Sequence, residues 1–210
     1  MIVMSHRGYW KVPDEKNTKI AFQRSFDLDF GTETDIRDCK GDLLISHDMP
    51  QGHEMKLEQF IDILNGKNIP LAINIKSDGL AKMLGSVMQS RQVQNWFVFD
   101  MSVPDMRNHL NAGNPVFTRM SEVELEPAYL EESQGVWLDM FGEQWYNNTV
   151  IENLLNRGKR VCIVSSELHG KDPTDLWESL SRIANNPQLL LCTDYPELAR
   201  QRFSSTIVKD

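Results

Sequence analysis

The chain has 210 residues, which suffices for one compact domain with a sizeable core. Its hydrophobic fraction of 40% and charged fraction of 25% are ordinary for a soluble globular protein. The net charge of −8 argues against a nucleic-acid-binding protein, and no apolar run reaches the roughly 18 residues of a membrane span. No linker or low-complexity tract interrupts the sequence, so residues 1–210 are predicted to form a single domain.

The cysteines and the first residues indicate the compartment. Cys39, Cys162 and Cys192 lie in apolar or strand-like stretches, and no two have the C-x-x-C spacing of a zinc site. We interpret them as free thiols in a reducing environment. The chain enters an apolar stretch at Ile2 without a basic segment, so we expect no signal peptide and predict a cytoplasmic protein.

The first fifty residues contain short apolar segments, and polar residues stand at or near the ends of these segments. Residues 2–6 predict a strand. Asn17 is a candidate N-cap for a helix whose apolar positions recur at helical spacing up to residue 28, and Gly31 is expected to end that helix. Residues 32–37 alternate as in a strand, and 43–46 predict a short strand that follows the turn at 40–42.

Helices and strands continue to alternate along the rest of the chain. Further strands are predicted at 71–76, 96–101, 116–118, 136–140, 160–165 and 189–193, and helices at 56–64, 80–91, 103–112, 149–157, 173–184 and 196–203. With 43–46 as a hairpin arm of the second strand, eight alternating strands predict a (β/α)8 barrel, the TIM barrel. An open doubly wound sheet is the alternative, and the acidic, weakly periodic segment 119–135 is the least regular step.

Polar residues at the ends of the first three parallel strands outline a candidate site: His6, Arg7, Glu33, Asp35, Asn74 and Lys76. In a (β/α)8 barrel the C-terminal ends of the strands meet at one mouth, so these residues are expected to converge. Glu33 and Asp35 share a face because they are two residues apart on a strand.

Two neighbouring carboxylates repel each other at low dielectric, and a divalent cation such as Mg²⁺ or Ca²⁺ would resolve the repulsion by binding both. Alternatively, Glu33 and Asp35 form ion pairs with Arg7, Arg37 or Lys76. Arg7 and Lys76 would also suit a phosphoryl oxygen, because both side chains bind phosphate.

Histidines are the candidate acid/base groups. His6 and His47 both follow short strands near the carboxylate pair, and imidazole exchanges protons near neutral pH. A structural role is the alternative for either one alone. His53 and His109 are predicted to be exposed loop and helix residues, and the sequence pattern favours neither a site role nor an exposed position for His169.

These residues resemble the motifs of the glycerophosphodiester phosphodiesterase family. The matching segments are His6-Arg7-Gly8, Asn17-Thr18 with Ala21-Phe22, Glu33-x-Asp35, His47-Asp48, Ile73-Asn74-Ile75-Lys76 and Thr193-Asp194-Tyr195-Pro196. The order and spacing match over the first fifty residues and more thinly beyond them. The combination of motifs is specific, whereas no single segment is.

The resemblance implies a phosphatidylinositol-phosphodiesterase-like barrel and a metal-dependent phosphodiesterase. It assigns the acid/base roles to His6 and His47, and it assigns phosphate binding to Arg7 and Lys76. The divalent cation, Mg²⁺, Ca²⁺ or Mn²⁺, would lie at Glu33 and Asp35 with Asn74. In that family a glycerol hydroxyl attacks phosphorus and expels the head-group alcohol, and water then opens the cyclic phosphate.

The sequence departs from the family pattern in three places. Asn74 stands where a glutamate ligand is usual, so Asp139 or Glu167 is a candidate for an additional ligand. The usual insert after the His-Asp pair is essentially missing, because Asp48 lies only seven residues before Met55. The seventh strand lacks its usual Trp-containing motif, and Glu167 and His169 are candidates for reshaping the pocket.

The sequence therefore predicts a metal-dependent phosphodiesterase with an open mouth. Its substrate would be a small glycerophosphodiester or a carbohydrate-linked phosphodiester. A second possibility keeps the site but transfers or cyclises the phosphate. The alternative from another class is a non-catalytic phosphate-binding or scaffold barrel with a decayed metal site.

Overall fold

A computed structural model of the chain describes residues 1–204. These residues divide into two compact units. The N-terminal unit is His6–Phe117, and the C-terminal unit combines Met1–Ser5 with the described residues from Thr118 onward. That residues 1–210 act as a single domain stays a prediction.

Strands and helices alternate as the sequence predicts. In chain order they are β1 (Ile2–Ser5), α1 (Lys19–Asp27), β2 (Gly31–Cys39), β3 (Asp42–Ile45), α2 (Leu57–Leu64), β4 (Leu71–Ile75), α3 (Ala81–Ser90), β5 (Trp96–Phe99), α4 (Val103–Asn111), β6 (Phe117–Met120), β7 (Gly135–Leu138), α5 (Asn148–Asn156), β8 (Arg160–Val164), α6 (Thr174–Leu180), β9 (Leu189–Thr193) and α7 (Pro196–Ser204). Short 3₁₀ helices occupy Pro13–Glu15 and Ser166–His169. No helix within residues 1–204 is long and apolar enough to cross a membrane.

A few boundaries differ from the prediction. The N-cap of α1 is Thr18, because Asn17 has a left-handed backbone with φ of 59° and uses its side chain elsewhere. Gly31 begins β2 instead of ending the helix. The described segment between β6 and β7 contains no helix, in keeping with its acidic composition and weak periodicity.

The N-terminal unit is built on the strand order β3-β2-β4-β5. β3 is antiparallel to β2, as expected for a hairpin arm, whereas β2, β4 and β5 are parallel. Asp35 on β2 is in register with Asn74 on β4, so their side chains emerge side by side on the same face. α1 and α2 cover this sheet. The rings of Phe22 and Phe60 pack edge to face between the two helices, with centroids 4.6 Å apart.

The C-terminal unit is built on the parallel strands β1-β9-β8-β7. All five residues of β9 are buried, so the strand is covered on both faces, as is usual where helices cover a parallel sheet. Trp177 on α6 packs against Phe203 on α7, with ring centroids 6.0 Å apart. Its indole N–H donates to Ser165 Oγ at 2.8 Å, which satisfies the buried donor.

Gly8 fixes the approach of the chain from the first strand to α1. Its φ of +81° lies in the left-handed region, and a Cβ at this position would lie 2.8 Å from Ala21 Cβ and 2.9 Å from the Ala21 carbonyl carbon. Tyr9 N donates to Ala21 O at 2.9 Å across the same contact. Only glycine permits this close approach, which sets the position of the preceding Arg7.

We expect Gly8→Ala to destabilise the protein by about 2–4 kcal/mol, because it combines left-handed strain with a steric clash against α1. Gly41→Ala is the matched control, since Gly41 has φ of +90° but a Cβ added there would meet no atom within 4 Å. Its cost should be about 1–2 kcal/mol from backbone strain alone. Urea denaturation of both variants measures the difference, and equal losses would contradict the role given to the Ala21 contact.

Candidate active site

Asp35 is the centre of a buried charged cluster in the N-terminal unit. Its side chain is fully buried near the end of β2. Arg7 Nε lies 2.9 Å from Asp35 Oδ2, and Lys76 Nζ lies 3.4 Å from Asp35 Oδ1. Asn17 Nδ2 donates to Asp35 Oδ2 at 2.8 Å. The structure thus brings together two predicted phosphate-binding residues with a predicted metal ligand.

Asn17 connects this cluster to the loop after the first strand. Its backbone N–H donates to Arg7 O at 2.9 Å, and its side-chain oxygen accepts from Thr34 Oγ1 at 2.8 Å. The sequence pattern indicated Asn17 only as a helix cap and did not predict this position beside Asp35. The available signal was the residue type, because Asn tolerates the left-handed backbone that a tight loop requires.

Glu33 is buried beside Asp35 with 1% of its surface exposed. Its Oε2 accepts a hydrogen bond from the Arg7 backbone N–H at 3.0 Å and lies 4.0 Å from His6 Nε2. Burial, and next the charge of Asp35, raise the pKa of Glu33 to about 7, although His6 and Arg7 act in the opposite direction. The pair therefore carries unfavourable negative charge that an additional cation would relieve.

Asn74 completes the set of oxygen atoms that a metal would need. Its Nδ2 lies 3.4 Å from Asp100 Oδ2, whereas its Oδ1 is buried without a hydrogen-bond partner. Asp35 Oδ1 is also buried without one. Unsatisfied buried acceptors are costly, and carboxylate and amide oxygens are ligands of hard divalent cations. Glu33, Asp35 and Asn74 therefore fit such an ion chemically.

The fit is limited by charge. Within residues 1–204, no three His, Cys, Asp or Glu side chains are grouped so as to hold a metal ion. Asn74 supplies an oxygen but no charge, and Arg7 and Lys76 already contact Asp35. Such a set suits a hard cation that keeps several water ligands.

His47 lies on the loop after β3 and is exposed. Its Nδ1 lies 2.9 Å from Asp48 Oδ1, and its backbone carbonyl accepts from Arg37 Nε at 3.0 Å. Arg37 therefore binds this loop, not the carboxylate pair, contrary to one alternative interpretation of the sequence. His47 lines a cavity of about 550 Å³ together with Arg7 and Asn17. The cavity links His47 to the Asp35 cluster.

The prediction for His109 is wrong, whereas His53 is exposed as expected. His109 on α4 is fully buried, with Nε2 3.5 Å from Asp105 Oδ2 and Nδ1 3.0 Å from Asn114 Nδ2. Burial lowers the pKa of His109, although Asp105 opposes this effect. The helical pattern could not show that this polar face packs inward.

A second polar cluster lies in the C-terminal unit. His169 Nε2 lies 2.7 Å from Asp139 Oδ1, which also accepts from the Met140 backbone N–H at 2.7 Å. Glu167 accepts from Asp194 N at 3.0 Å and bonds the Ser165 hydroxyl. Asp139 and Glu167, the candidates for additional metal ligands, thus have partners of their own within this unit.

Comparison with protein-family models matches no family, and comparison with curated proteins finds no similar sequence. Solved structures are similar over the whole chain. A glycerophosphodiester phosphodiesterase from Agrobacterium tumefaciens has a TM-score of 0.71 at 14% identity, covering 100% of both chains. A glycerophosphoryl diester phosphodiesterase from Parabacteroides distasonis has 0.67 at 14% identity, covering 97% of this chain and 86% of its own.

An Oleispira antarctica phosphodiesterase, solved in complex with the product sn-glycerol-3-phosphate, has a TM-score of 0.65 at 14% identity. The likeness covers 100% of this chain and 97% of that one. The fold is a (β/α)8 barrel. The predicted fold class is therefore confirmed, and the resemblance to glycerophosphodiester phosphodiesterases is confirmed at the level of the fold.

We expect the stability of the metal-free protein to fall as the pH rises from 5 to 8, because Glu33 must lose a proton while buried. The raised pKa means that the folded state holds the proton between about 4.5 and 7 and the unfolded state does not. Glu33→Gln should reduce this decrease by an amount on the order of 2 kcal/mol.

The measurement is urea denaturation at both pH values with a chelator present. Glu152→Gln is the control, because it removes a charge from an exposed position on α5. An unchanged pH dependence in Glu33→Gln would contradict the assignment.

Proposed function

We propose that the chain is a metal-dependent phosphodiesterase whose reaction centre lies at the Glu33–Asp35 carboxylate pair. The observation that carries the proposal is the convergence of this buried pair with two cationic side chains, Arg7 and Lys76, and with His6 at 4.0 Å from Glu33. The similar phosphodiesterase with bound sn-glycerol-3-phosphate supports a small phosphodiester as substrate. A scaffold protein would not require buried charges, whose desolvation costs free energy of folding.

Arg7 and Lys76 would hold the phosphate. Each side chain remains about one-fifth exposed although it contacts buried Asp35. Arg7 Nε approaches Asp35 without hydrogen-bond alignment, so the guanidinium is held mainly by charge. A guanidinium and an ammonium group can both donate to phosphoryl oxygens while Asp35 keeps them oriented.

A divalent cation, Mg²⁺, Ca²⁺ or Mn²⁺, would be held by Glu33, Asp35 and Asn74, and when bound it supplies positive charge against the negative charge developing on phosphate. The remaining chemistry belongs to the histidines. Arg7 fixes the Glu33 carboxyl group beside His6 through its backbone N–H.

His47 would exchange the second proton. Asp48 contacts Nδ1, so a neutral His47 would carry its proton on Nδ1 and present Nε2 as the basic atom. One histidine would take a proton from the attacking hydroxyl group while the other protonates the leaving oxygen. Whether a neighbouring substrate hydroxyl or water attacks phosphorus decides between a cyclic and a hydrolysed product.

The loop after His47 supports an open site. Glu54 accepts hydrogen bonds from the backbone N–H groups of Gln51, Gly52 and His53 at 2.8–3.1 Å, which closes the loop on itself. Met49 in the same loop is 81% exposed. An open site is compatible with a glycerophosphodiester and also with a bulkier carbohydrate-linked phosphodiester.

A non-catalytic phosphate-binding barrel is the second candidate function. Asn74 favours it, because an amide in place of a third carboxylate weakens cation binding. Metal binding and turnover separate the two functions. A binding protein would take phosphate at Arg7 and Lys76 with neither metal-dependent turnover nor dependence on His6.

We expect wild-type protein to hydrolyse bis(p-nitrophenyl) phosphate with Mg²⁺, Mn²⁺ or Ca²⁺, and His6→Ala and His47→Ala to lower kcat about 10²–10⁴-fold by removing acid/base groups. His53→Ala is the control, since it removes an exposed histidine from the loop that carries His47. Initial rates of release of p-nitrophenol measure the effect. Equal rates in all four proteins would refute the assigned roles.

Asn74→Glu should raise the affinity for Mg²⁺ about tenfold or more, because a third carboxylate adds charge to the oxygen set. Asn111→Glu, at the exposed end of α4, adds the same charge outside the site and should leave the affinity unchanged. Calorimetric titration of Mg²⁺ into both variants tests this. Equal affinities of the two variants would place the cation away from Asn74.

A further inference from the structure

The cavity beside the Asp35 cluster is also lined by residues that have no role in the proposed reaction. It is lined by Arg7 and Asn17, which both contact Asp35, and by His47. Its volume of about 550 Å³ is that of a small-molecule site. The cavity therefore has room for the alcohol group that is esterified to the phosphate.

Two lysines also line this cavity, Lys16 and Lys19. Neither forms an ion pair with a carboxylate in the described part of the chain. Lys16 Nζ instead lies over the Trp10 ring, 4.4 Å from its centroid, and this contact holds the half-buried side chain in place without neutralising it.

The two acidic residues of the cavity, Asp48 and Glu54, contact other groups and do not pair with Lys16 or Lys19. Asp48 contacts His47 Nδ1. Glu54 accepts three backbone N–H groups, and the first of these, from Gln51, is the largest cause that lowers the pKa of Glu54 to about 2. Three cationic side chains, Arg7, Lys16 and Lys19, thus line the cavity against two acidic ones, Asp48 and Glu54, in a chain whose net charge is −8.

We propose that Lys16 and Lys19 bind a second anionic group, a phosphate or a carboxylate, on the alcohol that the phosphodiester releases. This inference rests on the proposed phosphodiesterase function and narrows its substrate class. Ammonium groups are strong donors to both anions. A cationic head group such as choline would meet repulsion here, and a neutral sugar would leave both charges unused.

The test compares three substrates that share one phosphodiester: glycerophosphoglycerol, glycerophosphoglycerate with a terminal carboxylate, and glycerophosphoglycerol with a terminal phosphate. At low ionic strength, we expect wild type to prefer the two anionic compounds about tenfold in kcat/KM, a fold-change in the range of two partly exposed charge contacts. The larger preference identifies the anion. Added salt should weaken both preferences.

The double variant Lys16→Gln/Lys19→Gln should lose the preference and keep its rate on glycerophosphoglycerol. Lys16→Arg/Lys19→Arg should restore it, because the charges return. Lys82→Gln on α3 is the control, since it removes an exposed lysine outside the cavity. Equal kcat/KM for all three substrates in wild type, or an equal loss in Lys82→Gln, would overturn the proposal.

A binding measurement separates this proposal from the function on which it rests. In a His6→Ala background, calorimetry of intact glycerophosphoglycerol phosphate and glycerophosphoglycerol should show the same preference, again removed by the two Gln substitutions. Selective binding without turnover by wild type would overturn the phosphodiesterase function alone. Turnover without selective binding would overturn the anion site alone.

Discussion

The burial of two neighbouring carboxylates is the constraint on which the rest of the site depends. Glu33 and Asp35 are almost inaccessible to water, and placing like charges together in such an environment is costly. The site offsets this cost with the cationic groups of Arg7 and Lys76 and with the amide of Asn17. This compensation is incomplete: the pKa of Glu33 is raised, and Asp35 Oδ1 has the charge of Lys76 3.4 Å away but accepts no hydrogen bond.

The compensating groups are held by the backbone as much as by their charges. Arg7 has φ of 56° and precedes Gly8, whose lack of a Cβ permits the close contact with Ala21 on α1. Its backbone N–H bonds Glu33 and its carbonyl accepts from Asn17. The loop after the first strand is therefore fastened to β2 at several points, which preorganises the cationic groups before any ligand arrives.

The short loop after His47 has a different consequence. Glu54 accepts hydrogen bonds from the N–H groups of Gln51, Gly52 and His53, so these three groups need no covering segment as a partner. The cavity next to it stays accessible, and Lys16 and Lys19 line it. Substrate selection is thus separated from the carboxylate centre: the reacting phosphate would meet Arg7 and Lys76, and the alcohol would meet Lys16 and Lys19.

Most of the fold was predictable from the sequence, because each strand and helix carries its own apolar pattern and turn residues. The strand ends placed Arg7, Glu33, Asp35 and Lys76 correctly in one cluster, since residues two apart share a face and parallel strands end at the same edge. Segment 119–135 was weakly patterned, and it indeed lacks a helix in the structure.

Contacts between distant residues were beyond such patterns. The sequence marked Asn17 as a helix cap and His109 as exposed, yet Asn17 bonds Asp35 and His109 is fully buried. The hydrogen-bond partners of Asn74, Arg37 and His169 could not be predicted from the sequence pattern either. By itself the sequence determined the order of the elements and the residue types at the strand ends, because these depend on local periodicity. Only the tertiary structure decided which side chains are buried and paired, because those depend on neighbours far along the chain.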